Sequence, residues 1–62
     1  MKISKSDKVM ILQLIVEKTN QEYDAADRAF RKGDTRNGEA HKCNYNQFHE
    51  LFRRVENAEE EE

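Results

Sequence analysis

The sequence predicts an all-α fold, an antiparallel helical hairpin that dimerises into a four-helix arrangement. Three observations lead there. The 62 residues include no Pro and only two Gly, and 39% are charged, a composition that suits solvated helices. Apolar residues recur at steps of three and four along two segments separated by a polar stretch. One short run, Val9 to Val16 (VMILQLIV), is apolar at seven of eight positions, too many for one face of one helix.

The first helix is expected from about residue 5 to 32. Ser4 is an N-cap candidate with Asp7 three residues on, in the manner of a capping box. Val9, Leu12, Val16, Thr19, Tyr23, Ala26 and Phe30 then alternate at three and four, an a/d stripe held for three heptads. Arg31 and Lys32 suit the negative end of the helix dipole, and Gly33 offers a left-handed C-cap. Thr19 with Glu22 also reads as a capping box, which would split the segment in two. The unbroken stripe across Thr19 favours one helix, ~40 Å long at 1.5 Å per residue.

Residues 33–43 read as a loop, because Asn37-Gly38 is a turn signal and the stretch has no apolar period. The second helix is expected over 44–58, opening at Asn44 with Gln47 as capping-box partner. Cys43 and Phe48 would form a hydrophobic staple. Tyr45, Phe48, Phe52 and Val55 would be its inward stripe, with Leu51 on the flank. At about 21 Å this helix reaches back only to Thr19 and leaves most of residues 5–16 uncovered. Residues 1–58 thus form one helical-hairpin domain. Its exposed run is buried most simply against a second copy, through Val9, Leu12, Ile15 and Val16.

A chain this short is marginal unless something staples it. The single Cys43 rules out an intramolecular disulfide, which leaves oligomerisation. The apolar run is too short for a bilayer span, and no cleavage-site pattern follows it, so a cytoplasmic protein with no membrane role is expected.

Catalysis is not expected. There is no phosphate-binding Gly loop and no nucleophile motif, and two helices wall off no pocket for a small molecule. His41, Cys43 and His49 are the only soft ligands. They lack the paired spacing and fourth ligand of a structural zinc site, so neither metal nor cofactor is expected.

Charge gives two candidate surfaces. Glu59, Glu60, Glu61 and Glu62 supply four of the 13 acidic residues, so residues 1–58 carry 11 basic against nine acidic. With Glu56, this acidic tail over 59–62 could face a basic partner such as a DNA-binding protein. Arg28, Arg31, Lys32, Arg36 and Lys42 gather at the loop end, and nucleic-acid binding there is the alternative. Asp27, Asp34 and Glu39 are interleaved with them, which weighs against it.

The blocks KVMILQLIV, NQEY, a polar Gly-containing loop and YNQFHELFRRV resemble the layout of the AbbA-type small helical-hairpin antirepressors of bacilli. The likeness runs from Lys8 to Val55, in spacing and apolar pattern, above all at Tyr45, Phe48, Leu51 and Phe52. It implies a helical-hairpin dimer that blocks the DNA-binding face of a repressor. The expected function is accordingly a small bacterial or phage-encoded regulator that dimerises and inhibits another protein. A subunit ordered only with a heterologous helical partner is a further alternative.

Overall fold

The computed structural model describes residues 2–61. Strand β1 (Lys2–Ser4) leads into helix α1 (Lys5–Arg31), helix α2 (Thr35–Glu56) returns beside it, and strand β2 (Glu59–Glu61) closes the chain. The two helices pack against each other as a hairpin, in a plank whose Cα atoms span 49 × 14 × 9 Å. No helix among the described residues is long and apolar enough to cross a membrane.

Helix α1 begins and ends where local chemistry dictates. The Ser4 side chain accepts a hydrogen bond from the Asp7 amide at 3.1 Å, satisfying one of the first-turn donors. The helix runs unbroken through Thr19, whose hydroxyl donates back to the Ile15 carbonyl at 2.7 Å instead of capping a new helix. At the far end Gly33 takes φ +79°, the left-handed conformation that costs glycine least. The Gly33 amide then bonds to the Phe30 carbonyl and the Asp34 amide to the Ala29 carbonyl, the paired bonds of a Schellman motif.

The expected loop over 33–43 and second helix over 44–58 are corrected. Only Lys32, Gly33 and Asp34 separate the helices, and α2 opens at Thr35. Asp34 is the N-cap: one carboxylate oxygen accepts from the Asn37 amide at 3.2 Å, the other from the Asn37 side chain at 2.6 Å. Asn37 is therefore the third helical residue and not a turn residue. Gly38 is helical too, with the Phe30 ring where its own Cβ would be. Asn44 and exposed Cys43 lie within the helix and cap nothing.

A longer α2 changes what is covered. At 22 residues it is ~33 Å long and reaches from Phe30, beside Gly38, back to Ile11, beside Val55. The inward stripe of α1 is also rotated from the expected one. Ile15 and Ala26, 5% and 8% exposed, are its centre, with Ile11, Leu12, Thr19 and Glu22 half-buried around them. Tyr45, Phe48, Phe52 and Val55 of α2 face them half-buried, with Leu51 exposed on the flank as expected.

The two short strands meet. β1 and β2 pair in parallel, with Lys2 opposite Glu59, Ile3 opposite Glu60 and Ser4 opposite Glu61. Lys8, its side chain only 13% exposed, donates to the Ala58 carbonyl at 3.0 Å and stands 3.6 Å from Glu60. The glutamates at 59–61 are thus held in a strand; Glu62, also assigned to the acidic tail, lies outside the described residues.

Candidate interaction face

Seven-residue spacing on α1 and one flank of α2 together build a partly exposed apolar surface. Val9, Val16, Tyr23 and Phe30 lie seven apart, so they fall in one row along the helix. They remain 48%, 45%, 61% and 41% exposed. Beside the row, Tyr45, His49 and Phe52 of α2 supply the second wall of a shallow groove. The Tyr23 and Tyr45 rings are 5.8 Å apart and tilted by 54°, and Tyr45 stacks on His49 at 6.1 Å and 11°. Between Tyr23, Phe30, Tyr45 and Lys42 the groove deepens to a cavity of about 310 Å³. Packed rings that stay partly exposed present large apolar area at low entropic cost.

The opposite face carries a second, more compact apolar surface. Met10, Leu14 and Leu51 are exposed there, next to a depression lined by Ile3, Ile11, Val55 and Ala58. The run VMILQLIV is therefore apolar all round because it serves three directions. Ile11 and Ile15 turn toward α2, Val9 and Val16 toward the valine–aromatic row, and Met10 and Leu14 toward the other side. Of the four residues expected at a dimer interface, Val9 and Val16 lie exposed on the row and Leu12 is half-buried at its edge. Ile15 is corrected: it is spent on the hairpin's own core.

The charged candidates are scattered differently from expectation. Glu56 ends α2 and is exposed, whereas Glu59 and Glu60 sit opposite Lys2 and beside Lys8, which reduces the field they project. Arg28, Lys32 and Arg36 are exposed near the helix corner. Arg31 pairs with Asp27 at 3.1 Å, and Lys42 lies further along α2, on the rim of the cavity.

The sharpest polar contact is on the side away from the row. His41 Nδ1 donates to the Glu22 carboxylate at 2.6 Å, and the Asn44 side chain approaches the same oxygen at 3.5 Å. The His41 bond is the main cause that holds the Glu22 carboxyl below its ordinary value, against the opposing effect of desolvation. This links α1 to α2 across the middle of the hairpin and occupies His41. Sequence spacing gave no sign of it, since 19 residues separate the partners.

Tyr23, Phe30 and the Tyr45–His49 stack are the surface residues that the sequence reading assigned inward or left unassigned. Their signal was the seven-residue spacing itself, which does not say which way a row faces. No family model matches this chain, and neither does any curated protein or solved structure.

Proposed function

We propose that this protein is a small homodimeric regulator that works by binding another protein, in the manner of an inhibitor or antirepressor, and not by catalysis. One observation carries the reading. Among the described residues the buried hydrophobic core is Ile15 and Ala26 alone, while seven large apolar side chains stay exposed. A core that small does not stabilise a hairpin of this length, and exposed apolar area on this scale marks surfaces that are covered in use.

Two separate apolar faces favour two separate partners. The long valine–aromatic row suits a second copy, and the compact Met10, Leu14 and Leu51 surface suits the regulated protein. That target is of the basic, nucleic-acid-binding kind if Glu56 and the acidic strand contribute to contact. Capture from the native host with the intact protein and with Leu14→Glu tests this. A protein recovered by the first and lost by the second supports the reading. Direct retention of DNA by the purified protein, abolished when Arg28, Lys32 and Arg36 are neutralised, would replace it with nucleic-acid binding.

A further inference from the structure

We propose that two copies pair through α1 in antiparallel register, with the two-fold axis passing between Thr19 and Asn20. This rests on the dimer reading above and specifies its geometry. The row Val9, Val16, Tyr23, Phe30 has two small residues followed by two rings, and the midpoint of the inner pair is also the midpoint of the outer pair. Antiparallel pairing about that point sets Val9 against Phe30 of the partner subunit and Val16 against Tyr23 of the partner subunit. Every layer then combines one valine with one ring, so the interface keeps an even thickness along its ~32 Å. Parallel pairing would stack valine on valine at one end and phenylalanine on phenylalanine at the other, leaving a gap or a clash.

The part of the groove walled by both helices, about 310 Å³, lies beside Tyr23 and Phe30, whereas the hollow beside Val9 and Val16 is lined by α1 alone and is wider and more open. The antiparallel arrangement brings the valine end of each chain over the cavity of the other. Area suits a weak dimer: a seam ~32 Å long across the 14 Å width of the plank covers about 450 Å² between Cα atoms before side chains widen it, below the ~800 Å² per partner of a standard interface.

Asn20 supplies register. It is exposed, lines the groove between Val16 and Phe52, and falls beside the proposed axis, one residue's rise along the helix from its own symmetry copy. A polar residue at the centre of the seam, between the Val16 and Tyr23 layers, favours this alignment, because a slip of one layer sets its amide against a valine or a ring.

Cysteine cross-linking in a Cys43→Ser background tests the geometry, with sedimentation of the same proteins reporting the oligomeric state. Asn20→Cys is expected to oxidise to a covalent dimer of twice the 7.4 kDa chain mass. Val9→Cys alone should stay uncrosslinked, and a mixture of Val9→Cys with Phe30→Cys should give the mixed dimer as the main product. All three positions are exposed within the single chain, and circular dichroism checks that helix content is kept. Self-linking of Val9→Cys, or linking only at Leu14→Cys, in a protein that sediments as a dimer would overturn this register and leave the dimer standing. Sedimentation as a monomer would remove both.

Discussion

Gly38 and Phe30 occupy each other's space: a Cβ at position 38 would sit 2.6 Å from Phe30 Cε1, far inside van der Waals contact. Glycine in the first turns of α2 is thus a packing residue. It lets the second helix start close against the end of the first and seats the ring at the end of the exposed row.

Gly38→Ala consequently sets two effects against each other. Helix propensity favours alanine by about 1 kcal/mol, while the ring must be displaced. We expect net destabilisation of about 1 kcal/mol in the intact chain and stabilisation of similar size in a Phe30→Ala background. Urea unfolding of the four proteins at one concentration measures the coupling. An equal effect in both backgrounds would refute the contact.

The Glu22–His41 bond predicts an acid-limb effect. A carboxylate whose folded pKa is depressed adds stability that is fully present above its unfolded value, ordinarily 4.5, and is lost as pH falls through the lower folded value. Melting temperature should therefore fall between about pH 5 and 3 more steeply in the native protein than in Glu22→Gln. Parallel curves for the two proteins would show that Glu22 is not coupled to folding.

Lys8 ties the chain ends together through the Ala58 carbonyl and Glu60. Removing residues 58–62 should cost about 1–2 kcal/mol, since it takes away the strand pairing and leaves a largely buried ammonium without its acceptor. Lys8→Met should recover part of this loss in the truncated chain. Chemical unfolding that gave equal stabilities for full-length and truncated proteins would show that the β1–β2 pairing contributes nothing.

The parts of this fold that were legible in the sequence are those fixed by local chemistry. Ser4 with Asp7, and Gly33 after two basic residues, define both ends of α1 through bonds made within a few residues. The start of α2 was misplaced because Asp34 and Asn37 cap a helix with the same residue types that make a turn. What settles the choice is the long-range contacts of Gly38 with Phe30 and His41 with Glu22. The facing of α1 was misjudged by about one residue for a related reason. Ile11, Ile15 and Leu12, Val16 are adjacent stripes of equal hydrophobicity, and only the position of α2 selects between them. The tilted ring contact on the exposed face joins residues 22 apart, Tyr23 and Tyr45, beyond the reach of any local pattern.

Position 15 and position 16 should respond differently to substitution. Ile15→Ala removes the most buried large side chain among the described residues and should cost about 2–5 kcal/mol. Val16→Asp puts charge on a side chain that is half-exposed within its own chain, so its effect should come through association. Helix content of Val16→Asp should recover as protein concentration rises, and a loss independent of concentration would place Val16 in the intrachain core.

Sedimentation equilibrium of the unmodified protein over a hundredfold concentration range tests the central claim most directly. A dimer of twice 7.4 kDa is expected, losing helical signal as it dissociates on dilution. A 7.4 kDa species that stays fully helical and unfolds cooperatively at every concentration would contradict it.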